Sequence, residues 1–102
     1  MTKRRQFSTE FKAETAALVL DQGYSIQEAS EAMGVGDSSV RKWVKQLSSE
    51  RDGVTPSSGK ALSSEQQEIQ QLKAKVKQLE LEKDILKKAS ALLMSDSFKS
   101  AR

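Results

Sequence analysis

The apolar positions of residues 7–47 recur every three or four residues, which is the spacing of helices with one buried face. The first helix is predicted to begin after the N-cap Ser8 and to run to about Asp21 or Gln22, with Gly23 ending it. The large apolar residues in and beside this helix are interpreted as core and staple residues of a three-helix domain rather than as a binding site. They are Phe7, Phe11, Leu18, Val19 and Tyr24.

Residues 25–47 are typical of two short helices joined by a glycine turn. Ser25 and Glu28 form an S-x-x-E capping box, which predicts a helix from there to Met33. Gly34 stands where the turn requires a positive φ, which glycine adopts at low cost. The apolar positions in register with this turn are Ala29, Met33, Val35, Val40 and Trp43. The arrangement resembles the helix-turn-helix motif of DNA-binding proteins, whose second helix enters the major groove.

The helix after the turn has an apolar face and a basic face. It is predicted to start with Asp37 as its N-cap and to end near Leu47, with Trp43 as a core anchor rather than a base-stacking platform. The opposite face carries the predicted DNA-binding residues Ser38, Ser39, Arg41, Lys42 and Lys45. Arg41 suits bidentate contact with guanine or a phosphate, the lysines suit phosphates, and the serines suit phosphates or water-bridged bases. An ordinary solvated basic face is the alternative.

Basic residues also begin the chain. Lys3, Arg4 and Arg5 lie in residues 1–6 and are predicted to form an arm that contacts DNA phosphates or enters a minor groove. A solvated N-terminal segment is the alternative.

Residues 48–62 are predicted to be a flexible linker, because they contain Gly53, Pro56, Gly59 and several serines. Such a linker would leave the two DNA-binding domains of a dimer without a fixed half-site spacing.

A heptad pattern in residues 63–94 predicts a leucine zipper, a parallel two-stranded coiled coil that forms a homodimer. Its d positions are Leu72, Leu79, Leu86 and Leu93, and its a positions are Ile69, Val76, Lys83 and Ser90. β-branched residues at a with leucine at d favour two parallel strands, and Lys83 weakens the core but disfavours larger assemblies. The g and e positions pair opposite charges across the seam: Glu68 with Lys73, Lys75 with Glu80, and Glu82 with Lys87. Residues 95–102 are predicted to be a disordered tail.

A second apolar row on the same helix lies away from the a and d seam. This second stripe consists of Leu81, Ile85, Ala89 and Leu92. Further association of the coil or packing of another protein segment would cover it, and scattered surface aliphatic residues are the alternative.

Composition limits the chemistry available to the chain. Its 102 residues are 36% hydrophobic with a net charge of +3, which fits a small helical domain with an extended helix and an anionic partner. The chain has no cysteine and no histidine, so disulfides and thiolate metal sites are excluded and the commonest general base is missing. No stretch is apolar enough to span a membrane. We expect a soluble, cytoplasmic all-α protein with no metal, cofactor or catalytic residues.

Four motifs in combination resemble one protein family. They are F-S-x-E-F-K at Phe7–Lys12, the G-V turn after Met33, R-K-W-V at Arg41–Val44 and E-x-D-I-L-K-K-A at Glu82–Ala89. They are similar to those of the upstream-frame (OrfA) proteins of the insertion-sequence-three transposase family. The resemblance covers nearly the whole chain. It implies a helix-turn-helix that binds the terminal inverted repeats of a mobile element, followed by a leucine zipper.

The resemblance also implies partners. In the family, a programmed frameshift fuses this region to an integrase-like catalytic domain. The short product modulates transposition, represses the element's promoter or associates with the full-length transposase fusion protein.

Three functions are compatible with the sequence. The first is a dimeric DNA-binding transposase subunit without catalysis of its own, because integrase-type metal ligands converge on a sheet that so short a helical chain lacks. The second is a stand-alone helix-turn-helix transcriptional repressor, whose footprint would be confined to an operator. The third is a coiled-coil protein whose three-helix domain binds protein, and it should tolerate removal of the positive charge from Arg41, Lys42 and Lys45.

Overall fold

The computed structural model of the protein describes residues 6–100, and the side chains of residues 6–94. Within this range the chain forms four helices, as the all-α prediction required. They are α1 (Thr9–Leu20), α2 (Ile26–Met33), α3 (Asp37–Arg51) and α4 (Ser64–Ser100). The chain divides into two units between Gln70 and Gln71. No helix of the described residues is long and apolar enough to cross a membrane.

The ends of α1 are set by local chemistry. The Ser8 hydroxyl accepts a hydrogen bond from the backbone amide of Phe11 at 3.1 Å, which confirms Ser8 as the N-cap. The helix ends at Leu20, slightly earlier than predicted, and Gly23 then takes a φ of +75°. The Tyr24 amide donates to the Leu18 carbonyl at 3.0 Å, which closes the end of the helix.

The turn between α2 and α3 forms as predicted. The Glu28 amide donates to the Ser25 hydroxyl at 3.0 Å, and the Ser25 amide donates to the Glu28 carboxylate at 2.9 Å. This completes the capping box, and its hydrogen bonds from Ser25 lower the pKa of the Glu28 carboxyl. Gly34 is left-handed with a φ of +69°, and Val35, only 8% exposed, then enters the core.

α3 differs from the prediction at both ends. Its N-cap is Gly36, without a side-chain cap, and Asp37 is the first helical residue, where its charge still favours the helix dipole. The helix continues to Arg51 instead of ending near Leu47. Its last turn is retained because Glu50 falls on the buried face and is itself buried.

The core lies between α1, α2 and α3. Its buried apolar residues are Ala16, Ala29, Val35, Val40, Trp43, Leu47 and Leu62. Trp43 is 5% exposed, and its ring packs edge-on against Phe7 and Phe11 with centroids 5.2 and 6.2 Å away. This confirms Trp43 as a core anchor. Tyr24 is 37% exposed, so its predicted place in the core was wrong.

Residues 52–63 fold back on α3 and are more ordered than the flexible linker predicted for residues 48–62. Ala61 is fully buried and Leu62 is 5% exposed, so the segment contributes to the core. Gly53 and Gly59 have φ values of +93° and +77° and act as turn residues. The glycine, proline and serine content was interpreted as a sign of flexibility. In the structure these residues form turns, and backbone groups of the segment are hydrogen-bonded to side chains of α3 and α4.

α4 begins where the sequence predicts and ends later. The Ser63 hydroxyl accepts from the Gln66 amide at 3.2 Å and caps the helix. The helix continues to Ser100, six residues past the predicted range of 63–94. The segment predicted to be a disordered tail is therefore helical to Ser100, and residues 101–102 lie outside the described range.

Candidate nucleic-acid interface

One face of α3 is exposed and basic. Successive residues turn by about 100° around a helix. The buried positions Val40, Trp43 and Leu47 therefore lie opposite Ser38, Lys42 and Lys45, and these three are exposed. Arg41 is exposed on one flank of the same face. Ser39 is half-buried and lies nearer the apolar side, so the structure separates it from the other four predicted residues. We call Ser38, Arg41, Lys42 and Lys45 the outward face.

The cations of the outward face are available to a ligand. Within residues 6–94, Arg51 with Asp21 forms the one ion pair, so Arg41, Lys42 and Lys45 have no carboxylate partner there. Unpaired cations spaced along one helix face suit phosphate groups, which demand charge more than a fixed geometry. The predicted arm residues Lys3, Arg4 and Arg5 lie outside the described residues, and their DNA contact remains a prediction.

Arg51 connects the end of α3 to the end of α1. Its guanidinium donates to both oxygens of the Asp21 carboxylate, at 2.6 and 2.8 Å. The hydrogen bond from Arg51 lowers the pKa of the Asp21 carboxyl below its ordinary range. Both side chains are almost half exposed, so solvent screens the pair and its contribution to stability is small.

Glu50 holds the segment that follows α3, a role that was not predicted from the sequence. Its carboxylate accepts from the amides of Leu62 at 2.9 Å and Ser63 at 2.7 Å, and from the Gln46 side chain at 2.8 Å. Burial alone would raise the pKa of Glu50, but the hydrogen bonds from Ser63, Leu62 and Gln46 outweigh it and the pKa is lowered. Glu50 follows Leu47 by three residues on the apolar face, which was a usable signal of burial.

Three glutamines at the start of α4 bind the same segment from the other side. Gln70 donates to the carbonyls of Pro56 and Gly59 at 3.3 and 3.0 Å and accepts from the Ala61 amide at 2.8 Å. Gln66 accepts from the Thr55 hydroxyl at 2.6 Å, and Gln67 donates to the Ala61 carbonyl at 3.0 Å. The backbone of residues 55–61 is thereby fixed beside α3.

The predicted dimerisation residues occupy one face of α4. Leu72, Val76, Leu79, Leu86 and Leu93 are each between 52% and 69% exposed, Lys83 is exposed, and Ile69 is half-buried. The second stripe is equally open, with Leu81, Ile85 and Leu92 57–68% exposed. A row of apolar side chains this exposed in a single chain is typical of an interaction surface.

No group of three or more acidic, cysteine or histidine residues that could hold a metal ion occurs among the described residues.

Comparisons with known proteins point to mobile elements. A family model described as "Transposase", of the helix-turn-helix class, matches residues 1–77. Two similar proteins come from Escherichia coli K12. "Putative transposase InsN for insertion sequence element IS911A" is 49% identical over 88 residues, which are 86% of this chain and 65% of that protein. Its IS911B counterpart is 48% identical over 86 residues, 84% of this chain and 97% of that protein.

A more distant relative matches over almost the whole length. "Insertion element IS600 uncharacterized 11 kDa protein" from Shigella sonnei is 31% identical over 100 residues, which are 98% of this chain and 97% of that protein. The aligned part spans less than two thirds of the IS911A protein, whereas it spans nearly all of the IS911B and IS600 proteins. No solved structure gives a significant match.

Proposed function

Because the chain belongs to the helix-turn-helix transposase family, as an OrfA protein of the insertion-sequence-three type, we propose that it binds the terminal inverted repeats of an insertion sequence. The family gives it a DNA-binding role in transposition. The outward face supports the finer assignment, since Ser38, Lys42 and Lys45 are exposed on the second helix of the motif while Val40, Trp43 and Leu47 fix that helix to the core.

The reading of DNA by α3 follows from the dimensions of helix and groove. A helix with its side chains is about 10–12 Å across, and the major groove of B-DNA is about 12 Å wide. In this arrangement Ser38 and Lys45 point toward the groove floor, and Arg41 reaches a guanine edge or a phosphate from the flank. The basic arm, Lys3, Arg4 and Arg5, adds contacts to the phosphates or to the adjacent minor groove.

Dimerisation through α4 belongs to the same proposal. The exposed a and d residues would be covered by a second copy in parallel register, which also places the opposite charges of Glu68 and Lys73 across the seam. The dimer brings two helix-turn-helix domains to one DNA or to two element ends. The full-length transposase fusion protein carries the same helix and is a second partner.

Catalysis is assigned to that fusion partner. Integrase-type phosphoryl transfer needs acidic residues that converge on two metal ions. In residues 6–94 several acidic side chains serve other purposes, such as the Glu28 cap, the Asp21 ion pair and the Glu50 anchor. The chain then acts as a DNA-binding subunit that supports or regulates transposition.

Selection of bound duplexes from a random pool tests this function. The enriched sequence is expected at both flanks of the gene, in inverted orientation, because element ends are inverted repeats. Enrichment of a sequence found only upstream of the gene would indicate the transcriptional repressor instead. Absence of any enrichment would contradict both DNA-binding functions and leave the protein-binding function.

A further inference from the structure

Beside the outward face, the described residues form a cleft of about 450 Å³ that the helix-turn-helix motif does not account for. Its walls come from α1, α3 and the segment after α3. Lys12 contributes from α1, Lys42 and Gln46 from α3, and Ser57, Ser58 and Lys60 from the loop. Trp43 and Leu62, which are both buried, also line the cleft. We call this the lysine cleft.

The charge of the lysine cleft is uniformly positive. Lys12, Lys42 and Lys60 line it, and none of the described lining residues is acidic. None of the three lysines is in an ion pair within residues 6–94. Three lysines that line one cleft make its electrostatic potential positive, which favours the entry of an anion.

The wall that carries Lys60 is fixed in place. The Gln46 side chain donates to the Lys60 carbonyl at 3.5 Å, and Gln70 holds the Gly59 carbonyl at 3.0 Å. The Leu62 amide is anchored on Glu50 at 2.9 Å. A loop held by so many hydrogen bonds presents its lysine and serines without a large ordering cost on binding.

The cleft shares Lys42 with the outward face. On α3, Lys42 lies about 60° and Gln46 about 100° around the helix axis from Lys45, toward the edge of the outward face that is away from Arg41. When a helix fills the major groove, its flanks meet the phosphate backbones that border the groove. The cleft therefore lies where one of these backbones passes.

We infer that the lysine cleft binds a phosphate of the DNA backbone beside the groove that α3 occupies, with Lys12 and Lys60 as contact residues in addition to Lys42. The inference rests on the proposed DNA binding by α3. It extends the DNA interface beyond the helix-turn-helix motif to α1 and to the segment after α3. Ser57 and Ser58 supply hydroxyl donors to the same phosphate group.

The test is the salt dependence of DNA binding by the full chain. Fluorescence anisotropy with a labelled 30-base-pair random-sequence duplex, and with the duplex selected from the pool, compares the wild type with Lys12→Gln and Lys60→Gln. Each lost phosphate contact should reduce the slope of log K against log salt by about 0.9 per bound protomer. At 0.1 M salt the affinity for both duplexes should fall roughly fivefold to tenfold for each lysine removed.

Lys77→Gln is the matched control, because it removes one charge from an exposed position of α4 outside the cleft. If Lys12→Gln and Lys60→Gln behave like Lys77→Gln while the wild type binds DNA, the lysine cleft is not a phosphate site and the proposed function stands. If the wild type binds neither duplex, the proposed function itself fails and the inference fails with it.

A measurement on the wild-type protein provides a second test of the lysine cleft. Acetylation of lysines in the DNA complex, followed by mass spectrometry, should show Lys12, Lys42 and Lys60 protected by DNA and Lys77 modified as in the free protein. Protection of Lys42 without protection of Lys12 and Lys60 would overturn the inference, because contact would then be confined to α3.

Discussion

Replacing Glu50 with glutamine should release the segment that joins α3 to α4. The substitution keeps the shape of a side chain that is only 3% exposed and removes its charge. Three donors converge on the carboxylate: the amides of Leu62 and Ser63 and the side chain of Gln46. Glutamine has one acceptor oxygen where glutamate has two. Its NH₂ group would therefore face a donor that previously donated to the carboxylate, and that donor would lose its partner.

The size of the effect follows from those contacts. A hydrogen bond to a charged group contributes about 1.5–3 kcal/mol and a neutral one about 0.5–1.5, so neutralising Glu50 costs about 1 kcal/mol per bond. One buried amide also loses its acceptor, at about 1–3 kcal/mol. After partial relaxation we expect a local destabilisation of about 2–4 kcal/mol, which is roughly a 30- to 700-fold increase in opening.

Amide hydrogen exchange at Leu62 and Ser63 measures this opening directly. Exchange at both amides should accelerate by that factor in Glu50→Gln, while the α1 amides change much less. Glu14→Gln, which removes one charge from an exposed position of α1, is the control. Equal exchange at Leu62 in the two variants would refute the role of Glu50 as the anchor of this segment.

The lowered pKa of Glu50 also predicts a pH dependence. A carboxyl whose pKa is lower in the folded state contributes stability that is present above its ordinary value near 4.5 and is lost as the pH falls through the folded value. Urea unfolding followed by Trp43 fluorescence should therefore show a difference between wild type and Glu50→Gln that is constant from pH 7 to about 5 and shrinks below pH 4.5. Asp21 and Glu28 titrate in both proteins and cancel in the difference. A gap that widens on acidification would contradict the assignment.

Three further predictions concern the turn, the outward face and the zipper. Gly34→Ala should destabilise the domain by about 1–2 kcal/mol through its φ of +69° alone, since nothing lies within 4 Å of an added Cβ. Urea unfolding measures this change, and an unchanged unfolding midpoint would contradict the prediction. Arg41→Ala should lose about 1–3 kcal/mol of preference for the selected duplex over random DNA, whereas Lys45→Ala should weaken both and lower the salt slope. Equal losses on both duplexes for Arg41→Ala would refute base contact. Replacing Leu79 and Leu86 together with alanine should give monomers in sedimentation. The same change at Leu81 and Ile85 of the second stripe should leave the dimer intact. The reverse result would place the dimer interface on the second stripe.

Features encoded by neighbouring residues were predictable from the sequence. The capping box of Ser25 and Glu28, the left-handed Gly34 and the burial of Trp43 each depend on spacings within one or two turns of helix. Such spacings determine the capping hydrogen bonds and the buried side of each helix independently of distant residues. The helix-turn-helix arrangement and the outward face followed from them.

Features created by tertiary packing were not predictable in this way. The serine- and glycine-rich segment was interpreted as flexible because its partners, Glu50 and Gln70, lie outside it in the sequence. Lys12 and Lys60 are 48 residues apart in the chain and line one cleft only because the segment folds back on α3.

If the outward face of α3 binds DNA, removing its three positive charges together should abolish binding. The variant with Arg41, Lys42 and Lys45 all replaced by glutamine should keep the wild-type helical content by circular dichroism, because these side chains are exposed. Its binding to both the selected and the random duplex should be lost at 0.1 M salt. Wild-type affinity in a variant that is fully folded would contradict DNA binding by the outward face and favour a protein partner for the three-helix domain.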